Sequence, residues 1–559
     1  MIKQIDFVHY RKLIDISIGF STGLNAIAGT NGTCKSSLLY IIGNSFQAVP
    51  NNSSLVSDSK CLKYLKAVNS QLNPKIESMV KGDRKYTNPG ADVKGTLFSI
   101  TYINNAIFPF RRHNSHIDCR FALKPYYKKG NQESLPYCPV VYLGLPRLLP
   151  CGELPNEART RTAKLPDEYQ VELKRLFSKF VQYDLTFETP VTMAKLKKRI
   201  EFTTKTPGID SNTISAGEDN LSVILTSLVS LKYYYDSLVD KTPSVVSVLL
   251  IDELDSTLHP TFQRKLLNLL EEYSSAYKIQ VIFTTQSATL LRYVNQAKGN
   301  IIYLIDNVNK VSLLDHPEWY QIEAHLEEKT TEQILADKKI PFLLEDDEAR
   351  WMLQAILDSW SDRNEGLAWV AKHIYLVGTR IGCGELRCLF KDKVLNTKLV
   401  GWACVLDGDN NGDISSCIIS LPGKNSPERM LFLYARSLFE NDDSFWEGQS
   451  LVEAGFSKVY YLDEVDAKIR SASSCADKDH ATYEDIVKNV DRVSAKAIFN
   501  DHLDFFEYIF EFWMADSNNR GEMAKFFDDL KTLYKKVCVK SGLPSGKWSI
   551  ETYSELIPE

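Results

Sequence analysis

The sequence L-N-A-I-A-G-T-N-G-T-C-K-S-S-L occupies residues 24–38 of a chain of 559 residues. An apolar run typical of a strand leads into a turn of small residues, and a helix is predicted from K-S-S onward. In this layout the N–H groups of a tight loop and of a helix N-terminus point at phosphate oxygens. We therefore predict a phosphate-binding loop for ATP, with Lys35 as the cation and Ser36 as a ligand of Mg²⁺. The residues expected to contact the nucleotide are Gly29, Asn31, Gly32, Lys35, Ser36 and Ser37.

One position departs from the usual pattern of such loops. The pattern G-x-x-x-x-G-K-[ST] has glycine directly before the lysine, whereas this chain has Cys34. A side chain at this point crowds the phosphate or demands a backbone conformation that favours glycine. We expect nucleotide binding to survive and hydrolysis to be slow.

Length and charge exclude several classes of protein. A chain of 559 residues is too long for one core, so roughly two to four domains are expected. The formal net charge of −5 gives no overall attraction to nucleic acid, which leaves local basic patches or metal ions for such binding. The start, M-I-K-Q-I-D-F, does not have the pattern of a signal peptide, and the apolar run at 245–251 is too short to span a bilayer. We predict a cytoplasmic protein without a membrane partner.

A second nucleotide motif follows about 220 residues after the loop. V-L-L-I-D-E at 248–253 is an apolar strand that ends in two carboxylates. We expect Asp252 to hold Mg²⁺ through water and Glu253 to polarise the attacking water. An apolar strand ending in two acids is by itself a common strand end, and the preceding phosphate loop favours the catalytic interpretation. The next residues, 254–260, are similar to the D-loop that crosses between two ATPase subunits.

Two further segments resemble parts of ABC-type ATPases. T-I-S-A-G-E-D-N at 213–220 is similar to the ABC signature, in which Ser215 and the N–H groups near Gly217 face the γ-phosphate of ATP held by another subunit. The alternative is a simple helix cap of the type S-x-x-E. V-I-F-T-T-Q-S at 281–287 resembles the switch strand, with Gln286 where relatives usually have histidine. Glutamine bonds a γ-phosphate without carrying charge, which favours ATP as a clamp or sensor.

A second α/β unit is predicted from residue 340 onward. Its strands at 340–344, 372–377 and 401–406 alternate with helices, so a small parallel sheet is expected. Acids follow the first and third strands, and the carboxyl ends of parallel strands meet in one crevice. Clustered carboxylates repel one another unless a divalent cation neutralises them. We take Glu345, Asp407 and Asp409 as the main catalytic metal ligands, with Glu348 and Asp346 as secondary candidates.

This arrangement of acids resembles a Toprim domain. Two alternatives remain for D-G-D-N-N-G at 407–412: a polar turn, and the first half of a calcium-binding loop. The calcium loop requires its closing glutamate where this chain has Ile418, and a helix before it where a strand is predicted.

The predicted organisation is an α/β chain of three parts. Residues 1–330 form an ABC-type P-loop ATPase head that carries an insertion and helical arm at 50–210. Residues 335–425 form the Toprim domain, and residues 426–559 form a mainly helical region that completes the nuclease part. The basic stretch K-L-K-K-R at 195–199 is interpreted as a solvated helix face rather than a contact to a phosphate backbone.

An ABC-type ATPase followed by a Toprim domain resembles the OLD (overcoming lysogenization defect) family of nucleases. The resemblance implies DNA cleavage with Mg²⁺ or Mn²⁺, controlled by an ATPase that assembles as a dimer or tetramer. It also implies a lysine from the C-terminal helices, here Lys496, that stabilises the transition state; a solvated surface lysine is the alternative. The family usually has E-G-x-x-E after the first Toprim strand, whereas here Asp346 replaces the glycine and the second acid is Glu348.

The same segments are similar to anti-phage ATPases associated with retrons. I-S-L-P-G-K-N-S-P-E at 419–428 and the S-A-G-E-D-N segment carry this similarity. It implies a reverse transcriptase and its RNA–DNA hybrid as partners. Two other hypotheses stay open: an ATP-dependent sensor or scaffold with little nuclease activity, and a DNA-repair ATPase of the SMC or RecF type. The repair ATPase would require a long coiled-coil arm or a RecF-like lid, and the absence of sustained heptads in 50–210 counts against the coiled coil.

Overall fold

The chain in the computed structural model separates into two units, Met1–Ile322 and Glu323–Glu559. The structure describes all residues except 81–87, 91–92, 116–119, 128–133, 151–152, 155–156, 160–164, 184, 194–196, 211, 298, 315–316, 476–479 and 558–559. Among the described residues, none of the helices combines the length and the apolar character that a bilayer crossing requires.

The strands of the first unit form three sheets. In chain order they are β1 (Ile2–Tyr10), β2 (Leu13–Gly19), β3 (Leu24–Gly29), β4 (Thr96–Tyr102), β5 (Ile107–Asn114), β6 (Phe121–Pro125), β7 (Val140–Leu143), β8 (Glu157–Arg159), β9 (Thr186–Met193), β10 (Lys197–Thr203), β11 (Ser247–Ile251), β12 (Ile279–Thr284), β13 (Asn300–Asn307) and β14 (Lys310–Leu314). The central sheet has the order β14-β13-β3-β12-β11-β7, and in it only β14 runs antiparallel to its neighbour. The predicted strands around both nucleotide motifs are confirmed.

The described residues of the first unit also form helices. They are α1 (Lys35–Gly43), α2 (Lys60–Val68), α3 (Ile76–Met79), α4 (Asp167–Ser178), α5 (Ala216–Asp236), α6 (Pro260–Tyr277) and α7 (Ala288–Gln296). A 3₁₀ segment, Leu145–Leu148, follows β7. The helix that begins at the phosphate loop is confirmed at α1.

The central sheet is buried on both faces. Ala26 of β3 and Leu249 of β11 belong to one core cluster, whereas their neighbours Ile27 and Leu250 belong to the other. Successive side chains of a strand point to opposite faces, so strands covered on both sides need continuous apolar runs. Their carboxyl ends therefore open at one edge of the sheet, where the loop after β3 and the acids after β11 follow.

The predicted helical arm at 50–210 is wrong. β4, β5 and β6 continue β1 and β2 into an antiparallel sheet of order β2-β1-β4-β5-β6, and β8, β9 and β10 form a second antiparallel sheet. The physical reason is the two-residue alternation of buried and less buried side chains in stretches such as β4, which is a strand pattern. Residues 195–196 of the basic stretch lie outside the described residues; its remainder belongs to β10, where Lys197 and Arg199 are buried.

The second unit contains a small parallel sheet, as predicted. Its strands are β15 (Ile340–Leu344), β16 (Ile374–Val377), β17 (Ala403–Leu406) and β18 (Ile418–Ser420), in the order β16-β15-β17-β18. All three pairings are parallel. β18 was not predicted from the sequence. Ile418, which stands at the closing position of the calcium-loop alternative, begins this strand, and its side chain has no oxygen ligand.

Helices supply the rest of the second unit, and the helical character predicted after 425 is confirmed. From the end of the first unit onward they are α8 (Trp319–Glu327), α9 (Thr331–Ala336), α10 (Asp347–Ser361), α11 (Glu365–His373), α12 (Cys383–Lys391), α13 (Pro427–Asn441), α14 (Asp443–Trp446), α15 (Gln449–Glu453), α16 (Lys458–Tyr460), α17 (Ala467–Ala472), α18 (Tyr483–Lys488), α19 (Arg492–Asp501), α20 (Leu503–Ala515) and α21 (Arg520–Val537). Aromatic packing joins α10 to the late helices: Trp351 contacts Phe499 and Phe510 with ring centroids 5.2 and 5.4 Å apart.

Candidate functional site

The loop after β3 has the backbone that a phosphate-binding loop requires. Gly29 and Gly32 have φ angles of 135° and 83°, which other residues rarely adopt. A Cβ at Gly29 would lie 2.1 Å from the carbonyl oxygen of Leu304 in β13, so only glycine fits there. Lys35 begins α1, and its Nζ donates to the carbonyl oxygens of Gly29 and Thr30, both at 2.8 Å. Burial lowers the pKa of Lys35, against the opposing charge of Asp252.

Cys34 has the demanding backbone that the sequence led us to expect. Its φ and ψ of 65° and 21° place it in the left-handed region immediately before α1. An L-residue in this region costs roughly 1–2 kcal/mol, and glycine escapes most of that cost. The loop therefore keeps its shape at the expense of local strain.

The acidic end of β11 meets this loop through hydroxyl groups. Oδ1 of Asp252 accepts hydrogen bonds from Ser36 Oγ at 3.1 Å and from Thr284 Oγ1 at 2.7 Å. The N–H of Glu253 donates to the same Thr284 hydroxyl at 2.7 Å. Glu253 has a φ of 50°, and its Oε2 accepts from Ser256 Oγ at 2.9 Å. Three predicted motifs thus converge where β3, β11 and β12 end.

The predicted switch residue reaches the loop as well. Gln286 Nε2 donates to Asn31 Oδ1 at 2.9 Å. Both residues, together with Lys35, Asp252 and Glu253, line a cavity of about 410 Å³. This volume falls within the range of pockets that hold small ligands.

Arg11 is a residue of this cavity that the sequence interpretation missed. It lies in the turn between β1 and β2, with a φ of 55°, and Nη1 donates to Ser37 Oγ at 3.0 Å. Together with Lys12 it lines the same cavity as the acids that follow β11. The signal was the Y-R-K sequence at residues 10–12, a cationic turn between two strands.

The signature-like segment begins α5 and lies outside the lining of this cavity. Ser215 is the N-cap, and it forms a reciprocal capping box with Glu218, so the helix-cap alternative is present in the structure. A Cβ at Gly217 would lie 2.5 Å from the carbonyl oxygen of Thr257. The start of α5 therefore packs directly on the turn that follows Glu253.

In the second unit, Glu345 and Asp407 lie at the carboxyl ends of β15 and β17. Glu345 Oε1 accepts from the N–H of Asp407 at 3.0 Å and from Asn410 Nδ2 at 3.3 Å. Asp407 is 3% exposed, and its Oδ1 is buried without a hydrogen-bond partner. Burial, followed by the charge of Glu345, raises the pKa of Asp407 to about 8, and burial also raises the pKa of Glu345.

Helix α19 supplies two cations that pair with the acids after β15. Lys496 Nζ forms ion pairs with Asp346 and, at 2.5 Å, with Glu348 Oε2. Arg492 Nη2 lies 3.0 Å from Asp346 Oδ2, and Asn500 Nδ2 donates to Glu348 Oε1 at 2.8 Å. Lys496 is therefore not a solvated surface lysine, because both of its partners are buried acids.

The predicted metal ligands do not form a ready-made site. Within the described part of the chain, no three histidine, cysteine, aspartate or glutamate side chains are arranged to hold a metal ion. Glu348 is paired with Lys496, the side chain of Glu345 is bonded by main-chain and amide N–H groups, and Asp409 Oδ1 accepts from Asn410 Nδ2 at 2.8 Å. Oδ1 of Asp407 is a buried acceptor without a hydrogen-bond partner.

Glu428 is an acid of this region that sequence reasoning missed. It lies in the first turn of α13, is 2% exposed, and its pKa is raised by burial. The S-P-E sequence at 426–428 marks a helix start with proline at its first position, which was the available signal. Gly408 lies against the loop that precedes α13. A Cβ at this position would lie 2.8 Å from the carbonyl oxygen of Asn425, so the close approach requires glycine.

Comparisons with known proteins address the first unit. A family model described as "AAA domain, putative AbiEii toxin, Type IV TA system" matches residues 224–292. No curated protein matches the chain. Among solved structures, the SMC head domain from Thermotoga maritima is 15% identical over 56% of this chain and 98% of its own, with a TM-score of 0.30. The recombination mediator RecF with ATP is 13% identical over 56% of this chain and 97% of its own, with a TM-score of 0.31.

The matched segment runs from α5 through β11 and β12 into α7 and includes Asp252, Glu253 and Gln286. Together with the phosphate loop, this match indicates the class of the first unit, which has the fold of a P-loop ATPase. The coarse fold class predicted from the sequence is confirmed.

We predict that Cys34→Gly unfolds at higher denaturant concentration than Cys34→Ala. Both variants lose the thiol, and only glycine also relieves the left-handed strain, so the difference should be about 1 kcal/mol. Urea unfolding of the two variants side by side measures it. Equal midpoints would show that the loop stores no strain at this position.

We predict that Asp407→Asn stabilises the metal-free protein at alkaline pH. The folded-state pKa of Asp407 is raised to about 8, so the folded state retains a proton that the unfolded chain loses above pH 4. The contribution of Asp407 to the free energy of unfolding is largest below pH 4. It falls by at most about 1.4 kcal/mol per pH unit between pH 4 and pH 8. Urea unfolding in EDTA from pH 5 to 9 should show a growing advantage for the variant.

Asp413→Asn is the control of opposite sign. Hydrogen bonds from Ser415 and Ser416 lower the pKa of Asp413, so Asp413→Asn should be less stable than the wild type at neutral pH. The difference should shrink only in acid, where the wild type loses this stabilisation. Parallel pH profiles for Asp407→Asn and the wild type would contradict the assigned charge balance.

Proposed function

We propose that the first unit binds and hydrolyses ATP. The observation that carries this proposal is the shared hydrogen bonding of Ser36, Asp252, Thr284 and Glu253 beside the phosphate loop. Loop N–H groups and Lys35 would hold the phosphates. The hydroxyl of Ser36 and the carboxylate of Asp252, 3.1 Å apart, are the hard oxygen donors that suit Mg²⁺, which would neutralise phosphate charge when bound. Glu253 would orient the attacking water.

We further propose that hydrolysis requires two copies of the chain. Ser215 and Gly217 resemble an ABC signature, yet they lie outside the lining of the cavity around Lys35. A helix N-terminus offers positive potential to an anion, so the start of α5 suits the γ-phosphate held by a second copy. This supports an ABC-type head that forms a homo-oligomer around ATP. Strain at Cys34 and the uncharged Gln286 favour slow turnover.

We predict that Glu253→Gln lowers the rate of ATP hydrolysis by about 100-fold or more while ATP binding persists, because a general base contributes 10²–10⁴-fold. Phosphate release under saturating ATP and fluorescent-nucleotide binding measure the two properties. Glu271→Gln, an exposed position of α6, is the matched control. Hydrolysis at the wild-type rate in Glu253→Gln would contradict the assignment.

A second proposed function is DNA cleavage by the second unit with Mg²⁺ or Mn²⁺. The specific observation is the placement of Glu345 and Asp407 at the carboxyl ends of parallel strands, with a buried Asp407 oxygen that lacks a partner. This arrangement is similar to a Toprim domain and supports an OLD-type nuclease. Among the described residues, these acids are not arranged as a metal site. The alternative remains an ATP-dependent sensor or scaffold.

The proposed setting is bacterial anti-phage defence. The family model that matches residues 224–292 is described as a putative toxin of a type IV toxin–antitoxin system, which supports a role in defence. The association with a retron, its reverse transcriptase and the RNA–DNA hybrid stays a prediction from sequence resemblance.

We predict that supercoiled plasmid is cleaved in Mn²⁺ by the wild type and not by the double variant Asp407→Ala, Asp409→Ala. The loss follows from removing the two acids that end β17. Asp392→Ala, at an exposed position after α12, is the control. Cleavage that persists in the double variant would contradict the nuclease proposal, and cleavage by neither protein would mean that the isolated chain is inactive and would point to a missing partner.

A further inference from the structure

Arg147 is a buried arginine that the proposed ATP chemistry does not use directly. It lies in the 3₁₀ segment after β7 and is 4% exposed. Its Nε donates to Asn220 Oδ1 at 2.9 Å, and its Nη2 donates to the carbonyl oxygen of Glu253 at 2.8 Å. Nη1 donates to the carbonyl oxygens of Leu143 and Gly144, both at 3.2 Å. One guanidinium thus contacts three separate segments of the first unit.

The contact to Glu253 is made at a strained turn. Glu253 has a φ of 50°, so the direction of its carbonyl depends on a backbone conformation that few residues adopt. A fixed donor on that carbonyl stabilises the conformation and with it the position of the Glu253 side chain. The rigid fork of the guanidinium holds the carbonyl and Asn220 in a set relative direction.

The contact to Asn220 extends the link into α5. Asn220 Nδ2 donates to the carbonyl oxygen of Ser256 and to Thr257 Oγ1, both at 3.1 Å. Thr257 also has a positive φ, of 67°, and packs against Gly217 at the start of α5. The turn after β11 and the first turns of α5 are therefore joined by side-chain hydrogen bonds that pass through Asn220 and Arg147.

A buried ion pair lies beside the hydrogen bonds that join Arg147 and Asn220. Lys197 Nζ donates to the carbonyl oxygen of Arg147 at 2.7 Å, to that of Leu149 at 2.8 Å and to Asp219 Oδ2 at 2.7 Å. The side chains of Lys197 and Asp219 are each 1% exposed. Asp219 is the neighbour of Asn220 in α5, so the same helix turn is held from β10 and from the 3₁₀ segment.

Moving the charged guanidinium of Arg147 from water into the protein interior costs free energy, whereas burying an apolar side chain is favourable. Burial lowers the pKa of Arg147 to about 10, against the charge of Asp252, so the guanidinium stays charged at neutral pH. Apolar residues of similar volume often stabilise a core at least as well as buried charges do. The directional bonds to Glu253 and Asn220 are what an apolar side chain cannot supply.

We propose that Arg147 is a positioning residue that couples the turn carrying Glu253 to the start of α5. A displacement of that turn by ATP is then transmitted to the helix end that faces a second copy, and docking of the second copy is transmitted back to Glu253. This inference rests on the proposed ATPase function and adds the route by which the two sites communicate.

The test uses the full chain and three variants. Arg147→Lys keeps the charge and removes the fork. Asn220→Asp keeps the oxygen that accepts from Arg147 and removes the donor to Ser256 and Thr257. Arg175→Lys makes the same change as the first variant at a half-exposed arginine of α4 and is the matched control. Thermal unfolding, fluorescent-nucleotide affinity, and kcat and KM for ATP are measured for each.

We expect kcat to fall roughly tenfold or more in Arg147→Lys and Asn220→Asp, with nucleotide affinity changed less than about threefold, because the phosphate loop is intact. Arg175→Lys should match the wild type. Folded variants that keep the wild-type kcat would overturn the inference. Absence of hydrolysis in the wild type would instead contradict the proposed function.

Hydrogen exchange provides a second measurement that does not depend on ATP turnover. Binding of a slowly hydrolysed ATP analogue should protect residues 253–257 and 216–224 together. In Asn220→Asp, protection should remain at 253–257 and be lost at 216–224. Protection confined to 253–257 in the wild type would overturn the inference.

Discussion

The hydroxyl of Thr284 is the interaction on which the nucleotide site depends. It accepts the N–H of Glu253 and donates to Asp252, and so joins the carboxyl ends of β11 and β12. Asp252 in turn accepts from Ser36, which ties these strands to the phosphate loop. Because the strands are buried on both faces, their ends cannot shift without disturbing the core. A few hydrogen bonds therefore place the loop, the acids and the switch residue within one cavity.

The candidate site of the second unit depends on the balance between buried acids and the cations beside them. Five acids approach the carboxyl ends of its sheet: Glu345, Asp346, Glu348, Asp407 and Glu428. Helix α19 pairs with two of them through Lys496 and Arg492, whereas burial raises the pKa of each of the other three and so favours its protonated form. A cation or a proton must supply the remaining charge. The candidate nuclease site is thus partly satisfied by the protein's own lysine.

The sequence predicted those strands and loops that follow from the pattern of neighbouring residues. Apolar runs ending in acids predicted β11 and β15 and the positions of Asp252 and Glu345, and the small-residue turn predicted the loop before Lys35. The helical arm was wrong, because the apolar spacing of α4 was extended to a region whose strands pair over long distances in sequence. Arg147, Arg11 and Glu428 were missed for a similar reason. Nothing in the residues next to Arg147 and Arg11 shows which distant carbonyl or hydroxyl they contact, and the sequence around Glu428 does not show that it is buried near Asp407.

Calorimetric titration of Mg²⁺–ATP into the full chain and into Lys35→Ala tests the central claim, that the loop after β3 is an ATP site. The account predicts saturable binding of one ATP per chain in the wild type and binding about 100-fold weaker or absent in the variant, because Lys35 supplies the cation that faces the phosphates. Equal binding by both proteins, or no binding by the wild type, would contradict it.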